Sequence, residues 1–178
     1  DRTPDSEQRP SRIGISEPCI EALSDGRLLC IYRKDTQGRE MLQSWSSDSG
    51  RTWSEPVSSG AVGVDPCLLR LDNGVLLASF GRPEVRLMYS LGGGETWKGH
   101  TTLYRHTSHA SPSAGSRRAA WSHAYTSMVA LSSERVLYFF DIHEHAVPWE
   151  GRLPEGEAEA DRRTNSIFAV PIRVSRRI

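Results

Sequence analysis

The stretch "EPCIEALSDGRLLCIYR", Glu17 to Arg33, returns 48 residues later as "DPCLLRLDNGVLLASFG", Asp65 to Gly81, with Pro, Cys, Leu and a turn pair in matching places. Asp25-Gly26 falls on Asn73-Gly74, and each pair sits between short apolar runs, the strongest local signal for a tight hairpin. Each copy therefore reads as two strands joined by a turn. A third copy, "AYTSMVALSSERVLYFFD", aligns Leu131 with Leu23 and Leu71 but lacks the Gly turn. A period of roughly 40–50 residues marks propellers or solenoids. No segment outside the loops keeps a 3.6-residue apolar period, so helices should be few and short.

A second motif follows each of the first two hairpins. "SSDSGRTW", Ser46 to Trp53, aligns with "SLGGGETW", Ser90 to Trp97, at an offset of 44, so the second unit's intervening hairpin is four residues shorter. The third unit closes with "NSIFAVPIRV", Asn165 to Val174, where Pro171 marks a sheet edge or a bulge. The expected fold class is all-β, a partial β-propeller of about three four-stranded antiparallel blades, at 13–60, 61–104 and 121–178. Residues 1–12 read as a linker. "RHTSHASPSAGSRRAA" (Arg105 to Ala120) and "PWEGRLPEGEAEADRR" (Pro148 to Arg163) read as long exposed loops.

Composition narrows the function. The 178 residues suit one domain with a real core. Lys+Arg and Asp+Glu both number 22, leaving no net charge to draw nucleic acid or an anionic membrane. No apolar run is long enough to span a bilayer and no signal segment is visible; because the chain starts at Asp1, a truncated N-terminus is expected. Cys19, Cys30 and Cys67 are odd in number and lack CxxC spacing, so they read as buried free thiols rather than a disulfide frame or zinc site. His143 and His145, with Asp141 or His123, alternate as metal ligands can, but an incidental cluster is the expected reading, and no metal or cofactor is implied. Gly92 to Gly94 lack the Lys-Ser/Thr of a phosphate loop.

Ser46, Asp48, Gly50, Thr52 and Trp53 resemble the Asp-box of the sialidase superfamily, S-x-D-x-G-x-T-W, and Ser90, Gly94, Thr96 and Trp97 resemble a second copy with Gly92 in place of Asp. The whole chain from about Ile13 is similar to the C-terminal half of a six-bladed sialidase. The resemblance implies that Glu17 is the Glu opening the fourth blade, Arg33 and Arg82 two of the carboxylate-binding Arg, with Arg86 competing for the second role, and Tyr125 the Tyr opening the sixth blade. It also implies that the Asp-box loop is scaffolding, with Trp53 plugged into its blade.

A sialic acid carries a carboxylate on its anomeric carbon, which Arg side chains can clamp and which repels a carboxylate nucleophile. Sialidases are the Tyr-nucleophile exception among glycosidases. The implied mechanism has Tyr125 attacking the anomeric carbon while Glu17 takes its proton. The family's third Arg, in an Arg-Ile-Pro stretch, and its acid Asp have no match; "SRIGIS" (Ser11 to Ser16) is only superficially similar. A half-propeller, inactive or nearly so by itself, is expected, with open blade faces that invite self-association. The partner expected is a sialylated glycan. The alternatives are a noncatalytic Asp-box propeller binding glycan or protein, and a hydrolase for another acidic sugar.

Overall fold

A computed structural model describes residues 14–34, 40–82, 84–105, 125–142 and 166–176. The regular elements among them are all strands: β1 (Ile15–Ala22), β2 (Leu28–Lys34), β3 (Glu40–Ser46), β4 (Val57–Val62), β5 (Val64–Arg70), β6 (Leu76–Gly81), β7 (Val85–Ser90), β8 (Lys98–Tyr104), β9 (Thr126–Ser132), β10 (Arg135–Ile142) and β11 (Ser166–Arg173). They form three antiparallel sheets, ordered β1-β2-β3-β4, β5-β6-β7-β8 and β11-β10-β9. The partial propeller is borne out; the third sheet has three strands among the described residues. Pro171 lies in edge strand β11 opposite Leu137, where its missing N–H costs the ladder least. The expected linker 1–12, the loop 148–163, nearly all of the loop 105–120, and His123, His143 and His145 lie outside the described residues.

Short polar side chains shape the hairpins. Asp25 Oδ1 accepts Arg27 N–H at 3.0 Å and Asn73 Oδ1 accepts Val75 N–H at 3.0 Å, so the two turns close in the same way. Gly26 and Gly74 follow at φ +85° and +84°, a region where a Cβ is penalised. The third turn uses Ser132 Oγ, which accepts Glu134 N–H at 3.3 Å.

The sheets pack face to face. Leu29, Ile31 and Met41 of the first meet Leu68, Leu76, Ala78, Phe80 and Met88 of the second. On the other face Leu77 and Val85 meet Met128, Val136, Tyr138 and Phe140 of the third. Successive strand residues point to opposite faces, so β6, between two neighbours, is buried throughout. Each such large apolar side chain contributes about 1.5–3 kcal/mol. The inner strands β1, β5 and β9 lie side by side. Asp65 N–H meets Glu17 Oε2 at 2.7 Å and Arg70 Nε meets Ala22 O at 2.8 Å, which fixes their common direction.

The Asp-box loops lie at the far end from the inner-strand starts, because Ser46 pairs with Leu28 and Ser90 with Leu76, next to the hairpin turns. Ser46 Oγ accepts Gly50 N–H at 2.9 Å, and Asp48 receives Thr52 N–H at 2.9 Å and Thr52 Oγ1 at 2.6 Å. The two bonds from Thr52, followed by one from Ser46 Oγ at 2.8 Å, hold the Asp48 carboxyl down at about 2. In the second box Ser90 Oγ repeats the bond to Gly94 N–H at 3.0 Å. The two Trp differ. Trp97 Nε1 donates to Gln43 Oε1 of the preceding sheet at 2.8 Å, whereas Trp53 Nε1 donates to Gly50 O of its own loop at 3.1 Å. The expectation that Trp53 plugs into the blade is therefore corrected: its side chain lies over its own turn, 38 % exposed, while Trp97 reaches the preceding blade. The buried-thiol expectation holds for Cys30; Cys19 and Cys67 are half-buried.

Candidate functional site

The residues singled out by sequence gather at the end where the inner strands begin. Glu17 lies near the start of β1, and Ser16 pairs with Arg33 near the end of β2. Val64 pairs with Gly81, so Arg82 follows β6 beside the start of β5. Tyr125 immediately precedes β9. Glu17, Asp65 and Arg82 adopt φ of +53°, +47° and +46°. For side chains of this size that conformation costs about 1–2 kcal/mol each. At Glu17 and Asp65 the cause is local: each precedes a Pro and lies in a bulge, between Ser16 and Cys19 in one strand and between Val64 and Cys67 in the other. Such strain concentrates where surrounding contacts overdetermine the backbone.

Carboxylates supply those contacts. Glu17 Oε1 accepts Arg33 Nη1 at 2.9 Å, and Glu17 Oε2 accepts Asp65 N–H at 2.7 Å. Asp65 Oδ2 in turn accepts Thr126 N–H at 3.2 Å, while Asp65 O accepts Thr126 Oγ1 at 3.3 Å. Thr126 Oγ1 also meets Ser79 Oγ at 2.9 Å. Asp141 Oδ1 accepts Tyr125 N–H at 3.2 Å. Each inner strand is thus laced to the next at its first residues. Burial pushes the Asp65 carboxyl above its usual range, with the nearby charges of Glu17 and Asp141 adding to the shift against the bond from Thr126.

Glu17 and Arg33 are therefore brought into direct contact, and Arg82 shares their end of the blades. Tyr125 is 48 % exposed there and is bonded to Asp141 through its backbone. Arg86, at the start of β7, is engaged by Glu84: its Nε and Nη2 both reach Glu84 Oε2, at 3.0 and 2.8 Å. Thr102 Oγ1 reaches the same oxygen at 2.8 Å and Arg105 the other. These bonds, Arg86 first, depress the Glu84 carboxyl. Arg86 is thus a member of a second-blade cluster, and its backbone O accepts Tyr138 O–H at 3.0 Å. Asp65 is not among the candidate residues read from the sequence. The signal was present: Asp65-Pro66-Cys67 repeats Glu17-Pro18-Cys19. Thr126 and Glu84 carry no such signal. Among the described residues no group of three or more His, Cys, Asp or Glu is arranged to hold a metal.

Solved structures share this architecture. A protein of unknown function from Dyadobacter fermentans superposes with a TM-score of 0.62 at 16 % identity, over 94 % of this chain and 40 % of its own. The GH93 α-L-arabinofuranosidase of Fusarium graminearum, in complex with arabinobiose, gives 0.58 at 13 % over 93 % and 48 %. An α-L-arabinanase of Penicillium chrysogenum, also with arabinobiose, gives 0.53 at 18 % over 73 % and 42 %. The chain thus spans less than half the length of each. No curated protein matches by sequence. Residues 3–139, most of the chain, match the family described as BNR repeat-like domain. The repeats, boxes and sheet order agree with that match: the chain belongs to the BNR repeat-like domain family and has the fold of propeller glycoside hydrolases.

Proposed function

We propose that the end where the inner strands begin is the sugar-binding face of a glycoside hydrolase acting on terminal sialic acid. Arg33 and Arg82 take the sugar carboxylate, Tyr125 attacks the anomeric carbon, and Glu17 accepts the phenol proton. The observation that carries this reading is the Glu17–Arg33 pair at 2.9 Å, at the same end as Arg82 and Tyr125. An incoming carboxylate competes with Glu17 for Arg33. The chain by itself hydrolyses sialosides little if at all, since the acid Asp and third Arg of sialidases have no match in its sequence. Self-association belongs to the same reading. Ile20 of the first sheet and Trp53 of its Asp-box loop are 54 % and 38 % exposed, and Leu131 and Ile167 of the third sheet are 53 % and 79 % exposed. A monomeric mass in dilute solution would sink that part.

A second reading, a neutral-sugar hydrolase, is favoured by Asp65, whose raised pKa is the property a general acid needs. The two solved relatives crystallised with arabinobiose supply its substrate class. Calorimetric titration of the chain with N-acetylneuraminic acid, its methyl ester and arabinobiose separates the readings. Under the sialic acid reading the free acid binds, and both esterification and Arg33→Ala weaken binding roughly 10- to 100-fold, the worth of a charge-assisted bond. Binding of arabinobiose that ignores Arg33→Ala, with none of the acid, selects the second reading. Binding of neither sugar removes both.

A further inference from the structure

Two thiols stand one step along the strands from the carboxylates. Cys19 and Cys67 hold equivalent places in β1 and β5, two residues beyond Glu17 and Asp65. In the register set by Glu17 Oε2 with Asp65 N–H (2.7 Å) and Ala22 O with Arg70 Nε (2.8 Å), the two strands bring them together. Leu68 N–H donates to Cys19 Sγ at 3.2 Å, whereas Cys67 Sγ lies 3.8 Å from Leu68 O. A donor favours thiolate at Cys19, and an acceptor favours thiol at Cys67. The neighbouring Cys67 thiol is the largest of the effects that bring Cys19 down to about 7; Leu68 N–H assists, while burial and the charges of Glu21 and Asp65 oppose. The proximity of Cys19, and then burial, raises Cys67. Cys30 differs: it is buried, and burial raises its thiol. Cys19 and Cys67 both retain solvent exposure.

We propose that Cys19 and Cys67 form a peroxide-reactive pair that closes a disulfide between the inner strands of neighbouring blades. The Cys19 thiolate attacks one oxygen of a hydroperoxide, the O–O bond breaks, and Cys19 becomes a sulfenic acid as hydroxide or alkoxide leaves. The Cys67 sulfur then attacks the sulfenic sulfur, its proton leaves with the departing hydroxyl as water, and the S–S bond forms. Two thiols are oxidised and one peroxide is reduced. The bridge fixes the spacing of β1 and β5 next to Glu17 and Asp65, so it couples oxidation to the candidate site whichever sugar that site takes.

The test is treatment of the folded chain with stoichiometric hydrogen peroxide, followed by intact mass and peptide mapping under non-reducing conditions. Expected is loss of two hydrogens with a Cys19–Cys67 cross-link, in both the wild type and Cys30→Ser. In Cys67→Ser the product is a Cys19 sulfenic acid that dimedone traps. Iodoacetamide should label Cys19 with a half-maximal rate near pH 7. At pH 7 it should react about threefold faster than free cysteine: half ionised against about 3 %, offset by the lower nucleophilicity of the weaker base. A bridge through Cys30, a wild-type product that stops at Cys19 sulfinic acid, or cross-linking only after denaturation overturns the proposal. The wild-type mapping needs no variant to fold.

Discussion

Gln43 is the polar hinge of the first blade interface. Its side chain is 2 % exposed, donates from Nε2 to Gly94 O at 3.0 Å and accepts Trp97 Nε1 at 2.8 Å. Gln43→Leu keeps most of the volume and apolar contact but leaves both partners without their bond. A buried orphan costs about 1–3 kcal/mol. Gly94 is buried and takes the full loss, whereas Trp97 is half-buried, so water softens its share. The sum is about 2–3 kcal/mol against a total of roughly 5–15. In a chain of this size that lowers Tm by roughly 4–12 °C. Urea unfolding followed by tryptophan fluorescence reads it, because Trp45 and Trp97 both report from this interface. Adding Trp97→Phe should recover part of the loss, since no indole N–H is then stranded. A cost below about 0.5 kcal/mol for Gln43→Leu would refute the assignment of Gln43 as the inter-blade lock.

Two further perturbations test the scaffold. Asp48 has its pKa lowered from 3.8 to about 2, so it contributes stability that is present above pH about 4 and lost as pH falls through about 2. Thermal melts from pH 5 to 2 should show this fall in the wild type and a flatter profile in Asp48→Asn; parallel profiles would deny the loop its role. Gly26 and Gly94 share φ near +85°, but a Cβ at Gly26 meets nothing within 4 Å, whereas at Gly94 it comes 2.6 Å from Leu29 Cδ2. Gly26→Ala should cost about 1–2 kcal/mol from backbone strain alone, and Gly94→Ala about 1–3 kcal/mol more; equal costs in urea unfolding would contradict the packing described.

The fold was legible because the repeat is local chemistry. Asp25-Gly26 and Asn73-Gly74 dictate hairpins, and Ser46 and Ser90 each bind the backbone N–H four residues on, so spacing alone sets the strands. What escaped the sequence depends on neighbours. Gln43 and Leu87 hold equivalent positions, yet only Gln43 faces a box Trp; beyond Leu87 lies a sheet with no box. Trp53 and Trp97 are identical in motif but not in contact, because only Trp97 meets a Gln from the preceding sheet. At the candidate site, the order Glu17, Arg33, Arg82, Tyr125 placed all four at one end. That Glu84 engages Arg86, and that Asp65 binds Thr126 N–H, depends on strands distant in sequence.

The sugar-binding face proposed above lies at the inner-strand starts and not at the Asp-box loops of the opposite end. Backbone NMR of the isotopically labelled chain titrated with N-acetylneuraminic acid, and separately with arabinobiose, tests this most directly. Saturable shift changes are expected at Glu17, Arg33, Asp65, Arg82 and Tyr125, with Ser46 to Trp53 and Ser90 to Trp97 unmoved. Changes centred on those two loops, or no saturable change with either sugar, would contradict this placement.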